Sequence, residues 1–241
     1  MHTYRFAAVL FAVIAAAGCD NKAKPKDNLP TQPSPDPTPN ANGTTPTAAV
    51  RAPTPADLAE YTKDIPGSGS KLLAKIDTSM GTFNCELYGD KAPMTVANFV
   101  GLATGKKSWM NPKTGKAETG TPYFNGIEFH RVIPGFMIQG GDPTASGTGG
   151  PGYMFNNEIW QGNAIEPGVL AMANTGRDGT NGSQFFIMRG RREDLDTLHT
   201  VFGKCAELDL IDKIAAVPRG AQGPDRPNEA VKITNVTITK G

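Results

Sequence analysis

Hydrophobic and polar positions change rhythm three times along the chain. Residues 6–17 form one unbroken apolar run behind Arg5, and residues 20–66 then lose apolar patterning, carrying 10 prolines and one aromatic residue, Tyr61. Alternation returns beyond residue 68. Lys71–Thr78 and Thr82–Tyr88 flank Met80-Gly81, which predicts a hairpin whose second strand puts Phe83, Cys85 and Leu87 on one side. In Ala92–Gly105, Val96, Phe99, Val100 and Ala103 share one face at helical spacing, Pro93 suits the first turn, and Gly105 is a C-cap. Short strands are predicted at Gly126–Val132, Met137–Gly140, Val169–Ala173, Phe185–Met188 and Thr200–Lys204, followed by a helix over Glu207–Ala215 and a last strand over Ala230–Thr239. Many short strands with two helices predict a mainly β fold, a closed or nearly closed barrel with helices over its ends.

The same rhythm divides the chain. Nine of the 11 phenylalanines and both tryptophans fall within residues 68–241, so the core belongs there. Residues 19–67 read as a hydrated, proline-rich tether in which 54–64 have the composition for one or two helical turns. The apolar run of residues 6–17 is too short to span a bilayer and reads as an export signal over residues 1–18. Ala16-Ala17-Gly18 before Cys19 resembles the bacterial lipoprotein signal, which implies acylation of the Cys19 thiol and a membrane anchor. The implied location is the bacterial cell envelope, with the domain in the periplasm or at the outer surface.

Charge and motifs exclude several classes. Lys and Arg total 24 against 23 acidic residues, a net +1, so no basic field gathers nucleic acid. The sequence has no P-loop, dinucleotide fingerprint or zinc-ligand spacing, and the histidines are only His2, His130 and His199. No metal or cofactor is expected. The glycine-rich stretch Gly141–Gly152 lacks the Lys-Ser/Thr ending of a phosphate cradle and reads as a loop. Nothing in the sequence demands more than a monomer.

Three blocks carry a family resemblance. Phe129-His-Arg-Val-Ile-Pro-Gly-Phe-Met-Ile-Gln-Gly-Gly-Asp142 resembles the cyclophilin signature, as do Gly168–Gly176 with Asn181–Ile187, and Leu195–Gly203. The resemblance covers about residues 70–240 and implies an eight-stranded antiparallel barrel capped by two α-helices. It also implies cofactor-free cis/trans isomerisation of the bond preceding proline, in a surface groove that takes proline-containing peptides and folding exported proteins.

Rotation about that bond faces a barrier of about 18–20 kcal/mol, because resonance gives it partial double-bond character. A donor aimed at the proline nitrogen localises the lone pair and lowers the barrier, and a guanidinium is always charged with a rigid fork of donors. Arg131 matches the family's catalytic arginine, and Gln139 matches the glutamine that holds it. Phe136, Met137, Phe186 and Leu195 match the apolar proline pocket, with His199 as a neutral wall and hydrogen-bond donor at its edge. Ala173 and Asn174 match the positions whose backbone grips residues before proline, and Gln184 matches a further groove residue.

Asp194 departs from the pattern, standing where many eukaryotic members carry a tryptophan that binds cyclosporin. The long segment Lys106–Pro122 is expected to pack on the barrel through Trp109, with an extended client surface as the alternative. Cys85 reads as a buried free thiol, with a bond to Cys205 as the less common use. A binding module without turnover and a scaffold that displays the Lys106–Pro122 loop are the competing functions; Arg131, Gln139 and the pocket residues argue against the first, and deletion of the loop tests the second.

Overall fold

The structure, a computed structural model, describes residues 49–241. The expected export signal over residues 1–18, the expected acylation of Cys19 and most of the expected tether lie outside the described residues. Chain order begins with α1 (Asp57–Thr62), β1 (Leu72–Thr78), β2 (Gly81–Leu87), α2 (Pro93–Thr104), β3 (Trp109–Asn111) and β4 (Lys116–Glu118). It continues with β5 (Arg131–Ile133), β6 (Met137–Gly140), β7 (Val169–Met172), β8 (Phe185–Met188), a 3-10 turn (Glu193–Leu195) and β9 (Val201–Cys205). Last come α3 (Leu208–Ala215), β10 (Arg219–Gly220), β11 (Gly223–Pro227) and β12 (Ile233–Lys240).

Eight strands form one antiparallel sheet in the order β12-β1-β2-β9-β7-β8-β6-β5. The sheet is curled but open, which corrects the expected closed barrel. Its end strands β12 and β5 do not pair; an isolated bridge, Glu128↔Lys232, spans the gap with backbone bonds Phe129 N→Val231 O and Ile233 N→Ile127 O, each 2.8 Å. The cause is local. Gly126 sits at φ 84°, and Ile127 N bonds back to Phe124 O, so only Arg131–Ile133 enters the ladder where Gly126–Val132 had alternated. Three α-helices are present among the described residues, not the two expected.

Alternation sorts the apolar side chains onto two faces. Leu170, Phe185, Ile187 and Ile138 join the main core with Phe99, which lies 5.0 Å from the ring of Phe124, 5.5 Å from Phe202 and 5.7 Å from Phe185. Val169, Ala171, Phe186, Met188 and Met137 point the other way into a second cluster. Both faces of β7 and β8 are therefore covered, which is why their sequences are continuously apolar. α2 ends as predicted, at Gly105 in the left-handed region with φ 73°.

Part of the expected tether belongs to the domain. Tyr61 and Ile65 are buried in the main core, and α1 packs on α2. Gly101 makes room: a Cβ there would lie 2.7 Å from the Tyr61 ring. Arg51 and Asp57 form an ion pair at 2.7 Å, and Thr54 N donates to Asp57 at 2.8 Å. Lys107, buried over the Tyr153 ring, donates to Arg51 O at 2.7 Å, and burial lowers its pKa to about 8. Packing thus begins upstream of residue 68.

The segment 106–122 packs as expected. β3 and β4 form a hairpin, and Trp109 is buried edge-on to Tyr123 at 4.8 Å with its Nε1 donating to Thr121 O. The cysteines correct the free-thiol expectation. Cys85 and Cys205 stand directly opposite in the β2–β9 register, with Cα atoms 3.9 Å apart, and are joined as a disulfide. They are 120 residues apart in sequence, so only the tertiary strand pairing brings them together.

Candidate active site

Arg131 and Gln139 are cross-strand partners on β5 and β6, and Gln139 in turn faces Phe186 on β8. One strip across the sheet edge therefore carries a guanidinium, an amide and an aromatic ring. Around Phe186 the second apolar cluster gathers Met137 with half-buried Phe136, Ala173 and Leu195. His199 stands edge-on to Phe186 at 5.3 Å. The predicted pocket residues thus come together on one face, beside the predicted donor.

Polar contacts set the remaining geometry. Ala173 N donates to Gln184 O at 3.0 Å, and the Asn174 side chain donates to Leu198 O at 2.8 Å. The Gln184 amide donates to Gly147 O at 3.0 Å and Gly149 O at 2.9 Å, tying down the glycine-rich loop. That loop is built around buried Asp142, which accepts from Thr144 N and Oγ1, Gly147 N and Gly149 N at 2.7 to 3.0 Å. Burial opposes ionisation of Asp142, but the bonds from Thr144, Gly149 and Gly147 outweigh it and hold the carboxyl below its ordinary range. Gly141 has no substitute: its φ is 86° and a Cβ would run into Ser183 O. Two depressions result. One of about 290 Å³ lies between Gln139, Gly149, Tyr153, Ala173, Asn174 and Gln184, and one of about 450 Å³ lies between Arg131, Gln139, Gly147, Asn174 and Asp225.

Two expected contacts are made differently. Gln139 does not hold Arg131; its Nε2 donates to Gln184 Oε1 at 2.9 Å, and Arg131 Nε donates instead to Asp225 Oδ2 at 3.2 Å. His199 spends its donor internally, Nδ1 standing 2.9 Å from the Met172 carbonyl, which only accepts. Burial lowers the His199 pKa, that bond partly offsets it, and the ring is neutral near pH 7. Buried His130 is likewise pushed down, first by burial, with Arg226 and Arg131 adding to the effect and Asp142 opposing it. Asp225 and Arg192, whose guanidinium lies 4.9 Å above the Phe136 ring, escaped the sequence reading. Neither sits in a signature block. Among the described residues no cluster of three or more His, Cys, Asp or Glu side chains could hold a metal ion.

The chain, with its open antiparallel sheet, is similar to known proteins. Residues 73–238 match the family described as cyclophilin type peptidyl-prolyl cis-trans isomerase/CLD, and the chain belongs to that family. It is 45% identical over 168 residues to peptidyl-prolyl cis-trans isomerase A of Mycobacterium tuberculosis, covering 69% of this chain and 91% of that protein. Peptidyl-prolyl cis-trans isomerase B of Streptomyces anulatus is 46% identical over 172 residues, covering 70% and 97%. Among solved structures, a cyclophilin type isomerase of Cryptosporidium parvum superposes with a TM-score of 0.59 at 29% identity, over 71% of this chain and 99% of that one. The chain is a peptidyl-prolyl cis/trans isomerase.

Proposed function

We propose that this isomerase turns X-Pro bonds of exported proteins by donating a hydrogen bond from Arg131 to the proline nitrogen. The proline ring is seated against Phe136, Met137, Phe186 and Leu195, with the neutral His199 ring as the pocket wall. The observation that carries this reading is the adjacency of the exposed guanidinium to that apolar cluster across Gln139. The C. parvum relative was crystallised in the presence of the dipeptide Ala-Pro, a ligand of the chemistry such a pocket would take.

Catalysis here requires no covalent step. As the C–N bond twists, the nitrogen lone pair localises, and the guanidinium bond strengthens in that state relative to either planar ground state. Gln139, bonded to Gln184 and through it to the Asp142-centred loop, fixes the groove floor so that little reorganises during rotation. The backbone of Ala173 and Asn174 grips the residues before proline, so side-chain selectivity there is broad. Lipid on Cys19 holds the enzyme at the membrane as a monomer beside emerging clients. The disulfide supports an exported site, because such bonds persist in oxidising compartments.

The test is catalysed isomerisation of a short proline-containing peptide by the full chain and by Arg131→Ala. We expect kcat/KM to fall at least about tenfold, equivalent to ~1.4 kcal/mol of transition-state stabilisation, with circular dichroism unchanged. Retained activity in the variant would overturn the assignment of Arg131.

A further inference from the structure

Arg131 reaches the groove from a poorly supported position. β5 has three residues and is the last strand of the sheet. A long side chain there must surrender much rotamer freedom before it can donate to one chosen atom. Gln139, its cross-strand neighbour, is engaged with Gln184. The one side chain bonded to the guanidinium, among the described residues, is Asp225 through Nε at 3.2 Å.

Asp225 is itself held firmly. It lies on β11, in a two-stranded ribbon outside the main sheet. Its neighbour Arg226 pins that ribbon to the groove, donating to Ala145 O at 2.9 Å and pairing with Glu128 at 3.1 Å. Asn228 secures the other end, accepting from Ala221 N at 2.9 Å and donating from its backbone to Pro218 O at 2.8 Å. The backbone that carries Asp225 is therefore anchored beside the guanidinium.

The geometry points to Asp225 as a positioning residue for Arg131, orienting its guanidinium toward the proline nitrogen. The inference rests on Arg131 being the donor. A carboxylate beside a catalytic cation could instead sequester it, and the contact mode separates the two roles. A bidentate pair would occupy the Nη atoms, as Asp196 does with Arg191 at 2.6 Å to each oxygen. Asp225 takes only Nε–H, and Nη1 and Nη2 of Arg131 have no partner among the described residues. The pair is also 44% and 36% exposed, too well solvated to contribute much to folding. Its effect belongs to turnover.

Measured on the full chain with a short proline peptide, Asp225→Ala should lower kcat about fivefold, ~1 kcal/mol of transition-state stabilisation lost when the guanidinium is no longer oriented. KM and melting temperature should not move, because the bond orients a group whose contact strengthens only in the twisted state. Asp225→Glu should recover most of the loss. In an Arg131→Ala background, Asp225→Ala should cost nothing further, since Asp225 acts through the arginine. Unchanged or raised kcat in Asp225→Ala, or the same loss in both backgrounds, would overturn the positioning role while leaving the Arg131 assignment standing. Full activity in Arg131→Ala alone would remove that assignment, and this inference with it.

Discussion

At the scale of single residues, the groove rim departs from the family pattern at Asp194. Asp194 is bound bidentately by Arg192 at 2.8 and 2.6 Å, and the same guanidinium lies over Phe136 at the pocket edge. The rim is thus an ion pair laid on an aromatic ring, where the resemblance implies an indole N–H. An ionised aspartate can only accept, so cyclosporin should inhibit weakly, while turnover of a short peptide proceeds normally. Asp194→Trp should tighten inhibition at least about tenfold, or ~1.4 kcal/mol, and nanomolar inhibition of the unaltered protein in an inhibitor titration would contradict this. The resemblance pointed to Arg131, Gln139 and the pocket residues because they lie within contiguous blocks. Their partners were illegible: Asp225 is 94 residues from Arg131, and the Met172 carbonyl that accepts the His199 hydrogen bond is 27 residues away. Such pairings arise from tertiary packing, here between β5 and a separate ribbon, and are not written locally.

At the scale of elements, legibility followed the completeness of the local signal. β6 and β8 have the bounds the sequence predicts: β8 is a short apolar run ended by Arg189, and β6 stops inside the Gly140-Gly141 pair. α2 carried its own proline start and glycine stop. The strand expected from Gly126 shortened because a glycine turn diverts it; α1 falls within 54–64 at the length expected, but its docking was illegible because its partner, the notch at Gly101, lies on another helix. α1 is held by one buried carboxylate with a testable titration. The Arg51 guanidinium, with help from Thr54 and against the cost of burial, holds Asp57 at about 2, below the ordinary 3.8. A depressed carboxyl contributes stability that is complete above the unfolded value and disappears as pH falls through the folded one. Asp57→Asn should therefore cost about 1–2 kcal/mol near pH 6, discounted for the half-exposed Arg51. That difference should vanish between pH 4 and pH 2 in paired thermal melts. A pH-independent difference would mean that packing, not the ion pair, holds the helix.

At the scale of the whole molecule, the catalytic groove and the proposed anchor are physically separable. Every group assigned to the groove lies between Arg131 and Asp225, and the covalent tie between β2 and β9 lies within the domain as well. Nothing in the rotation chemistry requires a membrane, so the proposed anchor would determine only where the enzyme works. The apolar run after Arg5 and the small residues before Cys19 support acylation, and an oxidised Cys85–Cys205 pair fits the compartment that such a signal leads to. In a bacterial host, the unaltered protein should fractionate with membranes, and its N-terminal peptide should begin at Cys19 with the mass of attached acyl chains. Cys19→Ser should move the protein to the soluble fraction with kcat/KM on a short peptide unchanged, because more than one acyl chain is needed for stable anchoring and none would remain. An unmodified Cys19 in soluble unaltered protein would remove the anchor from this account. It would leave the groove, and the roles of Arg131 and Asp225 within it, untouched.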